Sequence, residues 1–455
     1  MRGGLACGLF MLAFAAVASA QDDCLTGAST LGDQRALAAL RDAVDAACPC
    51  QPPGSATARR EYARCTRDEI RSALEGGTLR RECARSARQI YRSATCGTNR
   101  VPCGVPPDAG ETATCRRAAP TGHNACDRPG ENACSESQHC SDVVDATVGT
   151  CIDPRHFGPY GVGVRTVHMT KDSVAMPGTE RVLDTIVWYP TTAGAGPVDN
   201  QLKGVIDAPL DNSGGPYPLL MFSHGSCGYA FQSTFLTPLL ASYGLVVAAP
   251  PHPGNTIFEF PACSMPQSLA SSALERPADI IYAADQLLAA AADNSSPFFD
   301  AIDPQRMGMS GHSFGGFTTY VVANRDSRFR IAVPMAPAVP ASQAHLSVPS
   351  LSMMSELDSY VNNPAIDNAY AASNAPKMKV ELEHTGHFAY SDGCFPSPDC
   401  NPPTTLTQNE AHALVQRWVV PFVLRYLKGD ARFEPFLAAA PPPGVVVASE
   451  GISGP

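Results

Sequence analysis

Met309-Ser310-Gly311-His312-Ser313-Phe314-Gly315-Gly316 decides how the larger part of this chain folds. Residues 306–310 read as a strand, and residues 317–323 form an apolar, helix-compatible run. Between them a serine stands at the centre of Gly311-x-Ser313-x-Gly315. A strand that turns this sharply into a helix puts its central residue in a strained backbone. The residues two before and two after must then be small. The pattern predicts that the Ser313 hydroxyl is presented at the end of a strand in a parallel sheet. G-x-S-x-G alone is a common pattern; its weight comes from the acidic and histidine residues downstream of it.

A serine hydroxyl is a poor nucleophile at its own pKa. It needs a base to take its proton and a carboxylate to hold that base in the right tautomer. In α/β-hydrolase folds these arrive in the order serine, acid, histidine. Residues 331–335 and 350–354 read as the next strands, and the second runs into Ser355-Glu356-Leu357-Asp358. Asp358 therefore sits just past a strand end. Residues 378–382 read as a further strand, ending in Glu383-His384-Thr385-Gly386-His387. His387, in a loop after glycine, is the candidate base. Glu356 is the rival acid and reads as a solvated or locally bonded strand-end residue. His384, the rival base, reads as a surface or supporting histidine. His312 flanks the serine, and an elbow neighbour points away from the site and packs.

A tetrahedral oxyanion needs two backbone N–H donors. One is expected from Phe314, directly after the serine. The other is expected from Ser226, in the glycine-bearing turn His224-Gly225-Ser226-Cys227-Gly228 after the strand-like run 219–223.

The remaining pattern agrees with that fold. Residues 162–167 and 185–189 read as early strands, and 245–249 is a short apolar run of buried-sheet type. Pro277 suits a first helical turn, after which Ile280, Ile281, Ala284, Leu287, Leu288 and Ala291 share a face. Residues 418–426 read as a closing helix despite Pro421, and 253–274 as a loop walling the pocket. Alternating β and α elements predict a mostly parallel sheet flanked by helices, with its site at the strands' carboxyl ends.

Phe222-Ser223-His224-Gly225, the run from Leu239 to Gly254 with Pro250-Pro251-His252-Pro253-Gly254, Glu275-Arg276-Pro277-Ala278-Asp279, Gly311-His312-Ser313-Phe314-Gly315-Gly316 and Gly386-His387-Phe388 together resemble one family. It is the platelet-activating-factor acetylhydrolase-like branch of the α/β-hydrolases, often called predicted dienelactone hydrolases. Secreted cutinase-like polyesterases are near neighbours. The resemblance covers residues 155–435. It implies a metal-free and cofactor-free carboxylic-ester hydrolase, with Ser313, Asp358 and His387 as its triad and Ser226 and Phe314 as its oxyanion hole. It favours short-acyl esters, including acetyl groups on phospholipid-like alcohols; polyester or cutin-type esters are the alternative. True dienelactone hydrolases use a cysteine nucleophile, whereas position 313 is serine. Cys227 in the oxyanion turn also departs from the family pattern.

Residues 1–20 read as a signal peptide: Arg2, an apolar stretch 5–17, then Ala18-Ser19-Ala20 before Gln21. Leu5-Ala6-Cys7-Gly8 lies too early for a lipoprotein site. No run reaches the length of a membrane span, so the expectation is a secreted or periplasmic chain. Cysteine usage agrees. Of 17 cysteines, twelve lie between Cys24 and Cys151. That density in an exported segment reads as a disulfide framework.

The expected layout is a cysteine-rich module at 21–154 (helical at 21–100, loop-rich at 101–154), a hydrolase domain at 155–435 and a flexible Pro-rich tail at 436–455. Cys48-Pro49-Cys50 with His123 or His139 offers a zinc alternative, but the spacing is not that of a finger. Cys227 with Cys263, and Cys394 with Cys400, are the pairings expected in the hydrolase part.

A net charge of −10 argues against nucleic acid as a partner. Eleven arginines between 59 and 100 are the local exception. They read first as solvated helix faces, and second as a contact for an anionic cell-surface polymer. A non-enzymatic binding protein on a hydrolase scaffold is the competing reading, and the complete Ser, Asp and His set weighs against it.

Overall fold

Two units make up the chain in a computed structural model, Met1–Ile152 and Asp153–Pro455. In the first, the structure describes residues 56–92, 94–96, 98, 100–105, 114–119, 132–133 and isolated positions between 24 and 48. In the second it describes 154–155, 157–192, 198–393, 406–439 and 441–452. The signal-peptide reading, most of the 101–154 segment and the Cys394–Cys400 pairing lie outside the described residues.

The first unit holds α1 (Ala56–Glu75) and α2 (Ala84–Arg92). Tyr62 and Ile70 of α1 and Ala87 and Tyr91 of α2 lie on one face of each helix, the spacing of an amphipathic stripe. They close a small core with Leu40, Val44 and Leu79. The arginines are left on the outer faces. A core this small needs staples, and Cys24–Cys83 and Cys48–Cys65 are disulfides. The second bond removes Cys48 from the zinc alternative.

Part of the segment expected to be loop-rich instead pairs. β1 (Val101–Val105), β2 (Thr114–Ala118) and β3 (Asn132–Ala133) form an antiparallel sheet in the order β2-β1-β3. Pro102 and Gly104 hide β1 from a propensity reading.

The second unit is built on a single sheet. Its strands are β4 (Gly161–Asp172), β5 (Glu180–Thr191), β6 (Val198–Asp199), β7 (Gly204–Ile206), β8 (Tyr217–Ser223), β9 (Val246–Ala249), β10 (Ile302–His312), β11 (Phe329–Met335), β12 (Ser350–Ser355), β13 (Lys377–Leu382) and β14 (Val445–Glu450). The order is β14-β13-β12-β11-β10-β8-β9-β5-β4-β7-β6. From β13 to β9 every pairing is parallel. Of these, β8, β9 and β11 are buried along almost their whole length, which explains their apolar runs. Between them run α3 (Thr237–Ser242), α4 (Pro266–Ala292), α5 (Phe314–Arg325), α6 (Asn363–Ala372), α7 (Gln408–Val423) and α8 (Glu434–Ala438).

Alternate residues of the strands form one core with a face of α4. Leu219 and Met221, Val246 and Ala248, and Met307 and Met309 meet Ile280, Ala283, Ala284 and Leu287. Period two in the strands and period three to four in the helix bring these residues together.

Three expectations change. α4 begins at Pro266, so the expected loop 253–274 is helical from 266 onward, and Pro277 lies inside the helix and not in its first turn. Leu269, Ala270, Ala273, Leu274, Glu275 and Arg276 are good helix formers and carry the helix up to the proline. Within the expected flexible tail, Phe436 and Leu437 are instead buried, and β14 pairs antiparallel with β13 from Val445–Leu382 to Glu450–Lys377. Val445-Val446-Val447 supplies the β-branched residues, and the prolines before it mark only the turn.

Candidate active site

Ser313 sits between β10 and α5 at φ 58°, ψ −115°, a backbone that serine seldom adopts. Surrounding bonds over-determine it. Its N–H donates to the Met335 carbonyl at 2.9 Å, and its carbonyl accepts from Phe317 and Ala338, each at 3.1 Å. The flanking glycines are required by space. A Cβ at 311 would meet the Gly315 carbonyl, and one at 315 would overlap the Ser223 carbonyl of β8. The turn is thus pressed against the neighbouring strand.

The structure brings Ser313, His387 and Asp358 together. His387 Nε2 lies 2.8 Å from Ser313 Oγ. His387 Nδ1 lies 2.8 Å from Asp358 Oδ2. Both side chains are buried. Asp358 is fixed from its other oxygen, since Oδ1 accepts from the amides of Tyr360 at 2.9 Å and Val361 at 3.1 Å. Its carboxylate can therefore only present Oδ2 to the histidine. The Tyr360 ring stacks on the His387 ring at 5.0 Å.

The rivals lie elsewhere. Glu356 accepts from the His384 amide at 2.8 Å, and its carboxylate is 3.8 Å from His384 Nδ1, both side chains being exposed.

Ser226 and Phe314 are the two expected amide donors. Phe314 opens α5. Ser226 lies in the turn after β8, and a Cβ built on its neighbour Gly225 would be 3.5 Å from Ser313 Cβ. The turn is held by the Cys227–Cys263 disulfide, the pairing expected from the sequence, with Cys227 at φ 51°. Among the described residues, neither the Ser226 nor the Phe314 amide has a hydrogen-bond partner.

Gln232 and the role of His312 were not legible in the sequence. The Gly225 amide donates to Gln232 Oε1 at 2.8 Å. Gln232 Nε2 is 3.0 Å from His312 Nδ1, and His312 Nε2 is 2.9 Å from the His387 carbonyl. A carbonyl only accepts, so Nε2 of His312 carries the proton and Nδ1 accepts from the amide. Burial, and then the neighbouring His387, hold His312 well below the usual histidine range, which keeps it neutral. The packing residue of the elbow thus also ties the Gly225 turn to the backbone of His387. A glutamine seven residues beyond Gly225 carries no sequence signal of its own.

Behind the turn lies a second buried cluster of Ser223, His252, Arg276, Asn255 and Asp279, each fully buried. It contains the His-Pro-Gly and Arg-Pro-x-Asp segments that share in the family resemblance.

The arrangement has the groups for acyl transfer: a hydroxyl in contact with an imidazole, a carboxylate holding that imidazole's other nitrogen, and, among the described residues, two backbone amides without a partner at Ser226 and Phe314.

Comparison with known proteins places this geometry in context. A family profile described as PET hydrolase-like matches residues 203–451. "Lipase 1" of Moraxella sp. (strain TA144) is 28% identical over 238 residues, covering 52% of this chain. The matched region spans 64% of that lipase's length. "Bis(hydroxyethyl) terephthalate hydrolase" of Streptomyces coelicolor is 25% identical over 280 residues, 61% of this chain and 77% of the relative. Among solved structures, a ferulic acid esterase from Streptomyces cinnamoneus superposes with a TM-score of 0.50 at 22% identity. It covers 64% of this chain and 96% of its own, a likeness of fold.

Proposed function

The chain belongs to the PET hydrolase-like family, and on that premise we propose that it is an exported serine hydrolase of carboxylic esters. The observation that carries the reading is the hydrogen-bonded chain Asp358–His387–Ser313, with 2.8 Å at each link. Ser313 Oγ attacks the ester carbonyl while His387 Nε2 takes its proton. Asp358 Oδ2 stabilises the imidazolium. The amides of Ser226 and Phe314 receive the oxyanion. His387 then protonates the leaving alkoxide, the alcohol departs, and an acyl-Ser313 ester remains. Water, deprotonated by His387, attacks that ester and frees the acid.

Substrate class is a finer proposal. The resemblance to platelet-activating-factor acetylhydrolases supports short acyl groups. The similarity to a terephthalate-ester hydrolase supports aromatic or polymeric esters. Side chains favour the second. Tyr360 is 58% exposed and lies on the His387 ring, while Phe258 and Phe260 are 83% and 65% exposed. These two phenylalanines are carried by a loop bonded to the oxyanion turn through Ile257 N–H to the Gly228 carbonyl, 2.9 Å. Large exposed apolar side chains beside a site mark where apolar ligands are held.

The disulfides support an oxidising compartment, and no helix among the described residues is long and apolar enough to cross a membrane. The arginines of α1 and α2 support a contact between the first unit and an anionic polymer.

The test is hydrolysis of p-nitrophenyl esters of increasing acyl length and of bis(hydroxyethyl) terephthalate, with Ser313→Ala in parallel. Activity on the terephthalate lost in the variant supports the reading. Activity that survives in Ser313→Ala overturns it. Preference for p-nitrophenyl acetate with no terephthalate turnover returns the short-acyl class.

A further inference from the structure

The cluster behind the oxyanion turn repeats the atom pattern of the site itself. Ser223 Oγ is 2.8 Å from His252 Nε2, and His252 Nδ1 is 3.0 Å from Asp279 Oδ2. It is not a second reaction centre, because all three residues are fully buried and no ester reaches them. The hydroxyl is also occupied, since it accepts from Arg276 Nη1 at 3.2 Å.

Arg276 is the hub. Its Nε and Nη2 donate to Asn255 Oδ1 at 3.0 and 2.6 Å, its Nη1 to the His224 carbonyl at 2.6 Å, and its Nη2 to the Gly225 carbonyl at 3.0 Å. With the Ser223 bond, these account for all five N–H groups of a guanidinium. Asn255 passes the link on, donating to Ser226 Oγ at 3.1 Å and to the Cys263 carbonyl at 2.7 Å. On its other side, the guanidinium carbon lies 4.8 Å from the centre of the Phe314 ring.

We propose that Arg276 is a positioning residue that holds both halves of the oxyanion hole at once, gripping the Ser226 turn through its carbonyls and Asn255 and seating Phe314 through its ring. The Asp279–His252–Ser223 chain fixes one edge of the guanidinium. His252 donates from Nδ1 to Asp279, so its Nε2 accepts from Ser223, whose oxygen is then free to accept from Arg276. The proposal rests on the serine-hydrolase reading, and it explains why a full cation is kept in a dry site. A planar five-donor fork can aim two separate backbone segments, which no neutral side chain can do.

The experiment compares Arg276→Lys with the unmodified full chain on a p-nitrophenyl ester that Ser313→Ala does not turn over. Lysine keeps the charge and loses the fork. A fall in kcat of about 100-fold is expected, the size of losing one oxyanion donor, with KM unchanged within about threefold. Affinity for a boronic acid that forms a tetrahedral adduct on Ser313 should fall with kcat, while affinity for the carboxylic acid product should not.

Phe314→Leu keeps the amide and removes the ring, and should lose about 3- to 10-fold in kcat. If Arg276→Lys does not fold, Asn255→Ala decides by the same kcat-to-KM split. Folded Arg276→Lys with kcat within twofold of the unmodified chain overturns the proposal, as does a loss carried by KM alone. Absence of Ser313-dependent hydrolysis in the unmodified chain sinks the underlying reading instead, and the two failures are told apart in one plate.

Discussion

Asp358→Asn is the most informative single substitution, because the structure dictates how the new amide must sit. The outer oxygen of Asp358 accepts from two backbone amides, Tyr360 at 2.9 Å and Val361 at 3.1 Å. An asparagine must keep its carbonyl there, since an NH₂ would face two N–H donors. Its NH₂ then replaces Oδ2, 2.8 Å from His387 Nδ1. A donor at that position forces Nδ1 to accept, so the proton moves to Nε2. That nitrogen, 2.8 Å from Ser313 Oγ, can no longer take the serine's proton. The geometry is preserved and the tautomer is wrong. Such an exchange costs about 10⁴ in kcat, or about 5.5 kcal/mol of barrier at 1.36 kcal/mol per tenfold. The assay is kcat on a p-nitrophenyl ester at pH 7.5, with Glu356→Gln as control, expected within about twofold. Asp358→Asn retaining more than a tenth of kcat would refute the reasoning, as would a Glu356→Gln loss of similar size.

The packing sets four more expected outcomes. Gly315→Ala places a methyl group inside the Ser223 carbonyl contact and should abolish soluble expression or hydrolysis; a folded, active variant would contradict the close approach. Cys227→Ser paired with Cys263→Ser opens a loop of 36-residue separation and should cost about 2–4 kcal/mol, read from the urea midpoint, with no change expected under prior reduction. Gln232→Leu breaks the link from Gly225 to His312 and should lower kcat about tenfold; an unchanged kcat would leave the relay without a role. The fourth outcome concerns pH. Burial lowers His224, His252 and His312 well below the ordinary histidine value. The unfolded chain takes up these protons as pH falls through about 6.5, while the folded chain does not. The stabilisation is therefore complete above that pH and is lost on acidification, by at most about 4 kcal/mol per pH unit for three protons. Urea midpoints at pH 7.5, 6.5 and 5.5 should fall in that order; a rise would show that these histidines are charged in the fold.

The spacing of glycines around Ser313, and the acid and histidine past successive strand ends, were readable because each reflects a steric or chemical demand on a short segment. So were the central strands β8, β9 and β11, whose burial along almost their whole length leaves an apolar run. What escaped was set by contacts across the fold. Pro277 inside α4 is tolerated because the preceding turns carry the helix through. β1, with a proline and a glycine, becomes a strand only through its partners. Arg276 lies 21 to 53 positions from the groups it holds, Asn255 lies 29 from Ser226, and Gln232 bridges Gly225, seven positions away, to His312, 80 away. A buried arginine looks in sequence like any solvated one, and only the carbonyls aimed at it reveal its work.

β14 has a consequence for how the molecule behaves with its neighbours. Without it, β13 would present a free row of N–H and C=O groups along a strand that is mostly buried on both faces. Such an edge is a template for pairing with another chain. β14 moves the boundary outward to a strand whose exposed residues include Ser449 and Glu450, with Glu450 bridged to Lys377 at 3.2 Å. A protease cut in the proline-bearing turn before Val445 would leave every residue of the reaction centre in place. Release of β14 after such a cut would expose the parallel core sideways, and the protein would then be lost from solution by self-association before it was lost to catalysis.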